Sequence, residues 1–238
     1  MILAGVRAWQ VSEAARPMVG PDTFVVPLQN GVEAPSRLAE VLGERHVIGG
    51  LCWISSFSPG PGQICQAGIE PFIAFGEINN QPSQRCQLLM SVFHKAGVKA
   101  EIPADIQVAM WEKFTFITAI SRVGGVTCAP VGVTRSLPET RQLLIGAMQE
   151  IQSVAEAYQI DISPDYVSRT ITFIDSLPEG SQRSMQRDLT AWRPSELSDQ
   201  NGAVVRLGRE RGVPTPINAF LYASLLPQEK RARGEVGF

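Results

Sequence analysis

The spacing of apolar residues changes character near residue 103. Up to that point, short apolar runs alternate with turn residues and amphipathic segments, which is typical of an α/β layer. The pattern predicts strands over 1–6, 23–28, 47–54, 72–75 and 98–102, and helices over 32–42 and 85–95. Residues 47–75 have the pattern of an antiparallel meander, which the turn signal Pro59–Gly62 interrupts.

After Pro103 the strand signals almost disappear and long helical repeats dominate. The predicted helices cover 105–121, 138–158, 166–177, 195–211 and 217–226, and Asp105 is placed to cap the first of them. We therefore predict an α/β domain over 1–103 and an all-helical domain over 104–238. The strand pattern of Met1–Val6 has no turn or helix before it, so we expect the N-terminal sheet to be incomplete.

The composition limits the class of protein. Of the 238 residues, 44% are hydrophobic and 18% are charged, which allows a sizeable core and is not typical of intrinsic disorder. The net charge of −2 provides no basic field that would attract nucleic acid. No apolar run approaches the roughly 18–20 residues of a membrane span, and the first residues lack the layout of a signal peptide. We expect a soluble, cytoplasmic protein that binds neither membranes nor nucleic acid.

The cysteines and histidines do not form a metal-binding pattern. The four cysteines are Cys52, Cys65, Cys86 and Cys128, none of them in a CxxC pair, and there are only two histidines. A zinc site needs about four clustered nitrogen or sulfur ligands. We predict buried, reduced thiols and no metal centre.

One lysine lies on an apolar helical stripe. Lys113 shares this stripe with Met110, Ile117 and Ser121 in the first helix after Pro103. A lysine surrounded by apolar side chains loses hydration, which lowers its pKa and prepares it for proton transfer. The alternative is an ordinary lysine whose stem covers the apolar surface while its ammonium group stays in water.

Three further polar residues are candidates for a site. Ser184 lies in a polar stretch between helices, Glu196 lies at the predicted start of a helix, and Asn30 precedes Gly31 at a strand end. Each also has an ordinary explanation: an N-cap, a carboxylate in the first turn of a helix, and a turn former. Ligands do, however, commonly bind at the strand ends of α/β sheets.

The sequence contains no G-x-G-x-x-G motif, no phosphate-binding P-loop motif and no G-x-S-x-G motif. The nearest approach to a glycine-rich phosphate loop is Gly60–Gly62, where Pro61 and the lack of a following helix argue against that role. Nothing in the residues alone therefore indicates a bound nucleotide.

Five short segments occur in the order in which ketopantoate reductases (2-dehydropantoate 2-reductases) carry them. They are Val6–Val11, Gln29–Gly31, Trp111–Phe114, Ser184–Asp188, and Ser195–Leu197 with Asn201–Gly202. The chain resembles this family over nearly its whole length. The resemblance implies an α/β plus all-α fold, in which an incomplete Rossmann-type N-terminal domain is followed by a helical C-terminal domain, with the active site in the cleft between them.

The resemblance also implies roles for particular residues. Members of the family reduce a 2-keto acid with NADPH, and Lys113 matches the lysine that acts as general acid. Glu196 matches a carboxylate near this lysine and the cofactor, and Ser184 matches a hydrogen-bond donor to the substrate. Asn30 matches an asparagine near the nicotinamide and the substrate, while Arg7 stands where the family often has a cofactor-binding lysine.

The sequence departs from the family in two places. Ile117 and Ser121 stand where the best-known members carry substrate-facing asparagines, so a different or more apolar 2-keto acid is permitted. A glycine-rich turn precedes the segment matched by Met1–Val11 in the family, and this turn holds the cofactor phosphates. We therefore expect the chain to bind NADPH poorly and to be less stable than members that have the turn.

Three functions remain open on this basis. The first is the NADPH-dependent reduction of 2-dehydropantoate or a related 2-keto acid, as in pantothenate biosynthesis. The second is a non-catalytic module for ligand binding or dimerisation, and the third is another hydroxyacid dehydrogenase of the same fold. The long helices after Pro138 could supply the face of a homodimer, although their apolar stripes are equally consistent with a core.

Overall fold

The computed structural model describes residues 2–3, 8–66, 68 and 70–237. Contacts between residues divide the chain into one unit over Met1–Met110 and a second over Trp111–Phe238. The division falls inside a helix, whereas the domain boundary predicted near Pro103 lies in the loop before that helix. The domain boundary near Pro103 therefore stays a prediction.

The first unit mixes strands and helices, as its sequence pattern predicts. Its elements are β1 (Ile2–Leu3), α1 (Ala8–Ala15), β2 (Val26–Pro27), α2 (Ala34–Leu42), β3 (Gly49–Trp53), β4 (Ser56–Gly60), β5 (Gln63–Gln66), β6 (Phe72–Gly76), α3 (Gln84–Lys95) and β7 (Lys99–Glu101). Strand β2 is shorter than predicted, since Pro27 has no N–H group with which to extend the ladder.

Parallel and antiparallel pairs both occur in this unit. Strands β1 and β2 are parallel, and Val25, just before β2, forms a parallel bridge with Val47. Strand β3 pairs antiparallel with β6, which confirms the antiparallel pattern predicted for 47–75, and β6 continues in parallel to β7. Strands β4 and β5 form an antiparallel hairpin whose turn is part of the Pro59–Gly62 signal, and β5 coincides with residues 63–66, which that signal separates from the strand pattern before it.

Helices cover both faces of the sheet formed by β3, β6 and β7. On one face, Ile48 and Phe75 pack against Cys86 and Phe93, the two residues of α3 that are buried. On the other face, Leu51 and Ala74 pack against the first turns of helix α4. The first unit therefore has the layered core of a Rossmann-like domain.

The regular elements described after residue 105 are all helices, as predicted. They are α4 (Ile106–Thr127), α5 (Val131–Ser136), α6 (Pro138–Ala157), α7 (Tyr166–Ser176), α8 (Ser184–Thr190), α9 (Asn201–Arg211) and α10 (Pro216–Ala232). Helix α6 contributes a fully buried stripe to the core, with Leu144, Ala147, Met148, Ile151, Val154 and Ala155. The short helices α5 and α8 were not predicted.

Two predictions about helix starts have different outcomes. Asp105 caps α4 as predicted, because its Oδ1 accepts from the N–H groups of Gln107 and Val108 at 2.8 and 3.0 Å. The helix predicted to begin at residue 195 begins only at Asn201. Residues 195–200 form a turn instead, and the backbone N–H of Ser195 is bound by the carboxylate of Glu229.

The cysteines are all free, but the prediction that they are buried is wrong for most of them. Cys86 is buried, Cys52 is half-buried, and Cys65 and Cys128 are exposed. Cys65 belongs to the hairpin strand β5, whose residues are exposed throughout, and Cys128 follows the last turn of α4. Within the described part of the chain, no helix is long and apolar enough to cross a bilayer.

Candidate functional site

Helix α4 carries three of the predicted site residues. Lys113, Ile117 and Ser121 follow one another at intervals of four residues and so lie along one face of the helix. Lys113 is 7% exposed, and the residues Met110, Phe114 and Phe116 around it on the helix are buried as well. The lysine therefore occupies a largely dehydrated position, which is the environment that proton-transfer chemistry requires.

The same face offers a hydroxyl group that lacks a partner. Ser121 is 1% exposed, and its Oγ makes no hydrogen bond to any residue that the structure describes. A buried hydroxyl without a partner costs free energy, which a ligand oxygen could recover. Ile117 is half-buried and adds only apolar surface.

Ser184 is the first residue of helix α8 and is exposed. The capping interpretation of this serine is wrong, since Arg183 occupies the N-cap position and no side chain caps the helix there. Helix α8 lies close against α4, where a Cβ atom added at Gly124 would come within 2.7 Å of Gln186 Oε1. The side chain of Gln186 is held in turn by the carbonyl oxygen of Ala129 at 2.9 Å.

Glu196 is half-buried in the turn that precedes α9, so it is not a first-turn carboxylate of a helix. Its Oε2 accepts a hydrogen bond from Gln200 Nε2 at 2.8 Å. The Oε1 of Gln200 accepts from Nη2 of Arg122 at 3.2 Å, and Arg122 belongs to α4. One amide side chain therefore connects the carboxylate of Glu196 to the helix that carries Lys113.

A second buried carboxylate holds the other end of this turn. Glu229 of α10 is 1% exposed and accepts from the backbone N–H of Ser195 at 3.1 and 3.0 Å and from its Oγ at 2.6 Å. Arg233 donates to both Glu229 and the carbonyl oxygen of Ser195. The turn over residues 195–200 is thus fixed from α4 and from α10.

Arg122 supplies a positive charge among these hydrogen-bonded residues. It is fully buried and also contacts the sulfur of Met185. Burial lowers the pKa of its guanidinium to about 9, while the negative charges of Glu196 and Glu229 act in the opposite direction. The group therefore remains a cation at neutral pH. It attracts the two carboxylates that lie in or against the 195–200 turn.

Of the predicted cofactor residues, Asn30 belongs to the first unit and Glu196 to the second. Asn30 is half-buried and follows β2, a strand that pairs in parallel with β1, and Gly31 has a φ of 122°. Dinucleotides bind at the carboxyl ends of parallel strands, and a glycine with positive φ allows a close approach of the backbone. These residues fit the binding of a dinucleotide, whereas Arg7 lies outside the residues that the structure describes.

The charged and amide residues that support the candidate site were missed in the sequence. Arg122 and Gln200 had no predicted role, although a charged residue between Ile120 and Val123 in an apolar helix was a usable signal. Glu229 belongs to a charged C-terminal run whose sequence is typical of a solvated tail. Among the described residues, no group of three histidine, cysteine, aspartate or glutamate side chains could hold a metal ion.

Comparison with protein families matches the two parts of the chain separately. The family described as "Ketopantoate reductase PanE/ApbA" matches residues 1–80, and "Ketopantoate reductase PanE/ApbA C terminal" matches residues 105–229. The second match alone extends over more than half of the chain. It contains Lys113, Ile117, Ser121, Ser184 and Glu196.

Individual relatives are distant in sequence but similar in fold. The 2-dehydropantoate 2-reductase of Vibrio cholerae is 24% identical over 97% of this chain and 78% of its own length. The crystal structure of 2-dehydropantoate 2-reductase from Geobacter metallireducens is 26% identical with a TM-score of 0.86, and the match covers 94% of this chain and 75% of that one. The ternary structure of D-mandelate dehydrogenase with NADH and anilino(oxo)acetate is 18% identical with a TM-score of 0.88, and the match covers 98% of this chain and 77% of that one.

Proposed function

Because the chain belongs to the ketopantoate reductase family, we propose that it reduces a 2-keto acid to the 2-hydroxy acid with a nicotinamide cofactor. NADPH is the proposed cofactor, and 2-dehydropantoate or a related 2-keto acid is the proposed substrate. The observation that carries the proposal is the burial of Lys113 on α4, the helix to which the Glu196 turn is hydrogen-bonded.

Lys113 is the proposed general acid. A bound nicotinamide would supply the hydride for the carbonyl carbon of the substrate, and negative charge would then develop on the carbonyl oxygen. An ammonium group in a dehydrated position stabilises that charge more strongly than it would in water, and it can donate the proton that completes the hydroxyl group. We propose that Glu196 balances the charge of Lys113 and orients it, since a fixed carboxylate favours the protonated amine.

The remaining predicted residues are proposed to bind the ligands. Ser184 and the unpartnered hydroxyl of Ser121 would hydrogen-bond to the substrate, and Ile117 would contact an apolar part of it. Asn30, at the end of a parallel strand, would hold the nicotinamide end of the cofactor and face the substrate. Glu196 is also assigned to the cofactor side, and Arg7 is proposed to bind the cofactor through its positive charge.

The first experiment replaces the general acid. We expect Lys113→Ala to lower kcat for 2-dehydropantoate by roughly 10²–10⁴-fold, the usual contribution of general acid catalysis. The measurement is the oxidation of NADPH followed at 340 nm with the purified chain. Lys99→Ala is the matched control, because Lys99 is an exposed lysine of β7 in the first unit. Near-normal turnover of the Lys113 variant would remove this residue from the mechanism.

The cofactor is tested separately from turnover. The 238-residue chain is titrated with NADPH and with NADH while nicotinamide fluorescence is recorded. Saturable binding that is tighter for NADPH than for NADH is the result expected of an NADPH-dependent reductase. We expect the affinity to be low, because the sequence contains no glycine-rich phosphate loop. Binding of neither nucleotide by the folded chain would favour a non-catalytic module, and tighter binding of NADH would correct the cofactor. A homodimer stays a prediction, for which the molar mass in solution is the measurement.

A further inference from the structure

Arg183, the residue before Ser184, is a half-buried cation that forms no ion pair with an acidic side chain among the described residues. Its guanidinium lies over the ring of Phe116, 5.6 Å from the ring centroid. Its Nε is buried and makes no hydrogen bond within the described part of the chain. None of the ion pairs found among the described residues includes Arg183.

The surroundings of Arg183 favour an anion. Burial lowers the pKa of its guanidinium, and the positive charge of Arg187 lowers it further. Both effects mean that the protein around Arg183 solvates its positive charge poorly and adds a second charge of the same sign. A bound anion would reverse both effects, since it would supply the missing charge and accept a hydrogen bond from the buried Nε.

The position of Arg183 connects it to the proposed substrate site. Phe116, on which it stacks, is three residues after Lys113 and immediately before Ile117 on α4. Arg183 therefore lies beside the turn of α4 that presents the proposed general acid. Ile117 offers no hydrogen bond on this turn, so a polar group that reaches the substrate beside Ile117 can come from a neighbouring element. Arg183, at the N-cap of α8, is such a group.

We propose that Arg183 binds the carboxylate of the 2-keto acid, an inference that rests on the proposed reductase function. A guanidinium can donate two parallel hydrogen bonds to a carboxylate, which would also orient the neighbouring carbonyl group. The substrate class follows from the two residues together. It is a 2-oxo monocarboxylate whose carboxylate contacts Arg183 and whose apolar branch contacts Ile117.

The test compares an acid with its uncharged analogue. We use 2-oxoisovalerate and its primary amide as substrates and measure KM and kcat for the wild-type chain, Arg183→Gln and Arg183→Lys. Glutamine keeps much of the stem that covers Phe116 and removes the charge, whereas lysine keeps the charge without the planar fork. Arg211→Ala is the matched control, because Arg211 also stacks on an aromatic ring, that of Tyr158, at 4.3 Å.

The expected result is selective for the acid. Arg183→Gln should raise KM for 2-oxoisovalerate by about 10- to 100-fold and leave KM for the amide within about twofold, as expected for the loss of a charge-assisted hydrogen bond. Arg183→Lys should recover part of the affinity, and Arg211→Ala should behave as wild type. Equal changes for acid and amide, or no change for either, would overturn the proposal.

A binding measurement separates this inference from the proposed function. If the wild-type chain reduces neither of these compounds nor 2-dehydropantoate, the reductase function fails, and the affinity for 2-oxoisovalerate is then measured by calorimetry without cofactor. Binding that weakens about tenfold or more in Arg183→Gln would still support a carboxylate site at Arg183. Equal binding by the two proteins, or no binding by the wild-type chain, would contradict it.

Discussion

Arg122 shows how one buried side chain organises a segment of backbone. It is the largest of the fully buried side chains in the described residues, and it donates to Gln200 from the interior of the second unit. Its positive charge interacts with Glu196 and Glu229. Glu196 is part of the 195–200 turn, and Glu229 of α10 accepts a hydrogen bond from Ser195 of that turn. A buried cation with nearby carboxylates fixes this turn more strongly than exposed charges could, because water screens the interior less.

The role of Arg122 can be tested by truncation. We expect Arg122→Ala to lower the free energy of unfolding by about 2–4 kcal/mol, because it leaves a cavity and removes the donor to Gln200 Oε1. Arg193→Ala is the control, since Arg193 is 61% exposed and its pair with Asp188 is worth under about 1 kcal/mol. Urea denaturation followed by circular dichroism measures both. A loss in Arg122→Ala no larger than that of the control would show that the network does not stabilise the fold.

Among the elements, helix α4 matters most for the candidate site. It carries Lys113, Ile117 and Ser121, contacts α8 through Gly124, and binds the 195–200 turn through Arg122. Asp105 defines its start, because the carboxylate accepts hydrogen bonds from two of the N–H groups that have no partner inside the helix. A change at this cap therefore acts on the support of the site without touching the site residues.

The cap gives a prediction with a conservative control. Asp105→Ala should destabilise the chain by about 0.5–2 kcal/mol, because both N–H groups lose their acceptor. Asp105→Asn keeps an acceptor oxygen and should retain most of the stability. Thermal unfolding midpoints of the two variants and the wild type provide the comparison. An alanine variant that unfolds at the same midpoint as the wild type would mean that the cap contributes nothing measurable.

At the scale of the whole molecule, carboxylates paired with arginine control the response to acid. Hydrogen bonds from Arg85 lower the pKa of Glu77 in the first unit, and those from Arg141 lower the pKa of Asp175 in the second. A carboxyl group whose pKa is lower in the folded state stabilises the fold at neutral pH. This contribution is lost as the pH falls below the unfolded value of about 4 and through the lowered folded value. Burial raises the pKa of Glu112, which acts in the opposite direction.

We therefore expect the free energy of unfolding to change little between pH 7 and about 5 and to decrease below about pH 4.5. In Glu77→Gln the decrease should be shallower, because one carboxyl group with a lowered pKa has been removed. Asp161→Asn is the control, as Asp161 is exposed and takes part in none of the ion pairs found in the described residues. Urea midpoints measured from pH 3 to 7 test this. An unchanged acid slope in Glu77→Gln would exclude this pair as a source of the pH dependence.

The features that depend on neighbouring residues could be predicted from the sequence. Apolar spacing distinguished the mixed first unit from the helical second unit, because strand and helix repeats differ within a few residues. The cap at Asp105 was predictable for the same reason, since the capping side chain and the N–H groups that donate to it are two or three residues apart. The five ordered segments identified the family, which the matches to both parts of the chain confirm.

The features that depend on residues far apart in the chain could not be predicted from local patterns. Helix α9 begins at Asn201 rather than at residue 195, because Glu229, 34 residues from Ser195, binds the backbone N–H of that serine. The burial of Arg122 and the position of Arg183 over Phe116 likewise depend on packing between α4 and later segments. A local pattern shows that such a residue is charged. Whether it lies in water or among apolar side chains depends on which distant elements pack against it.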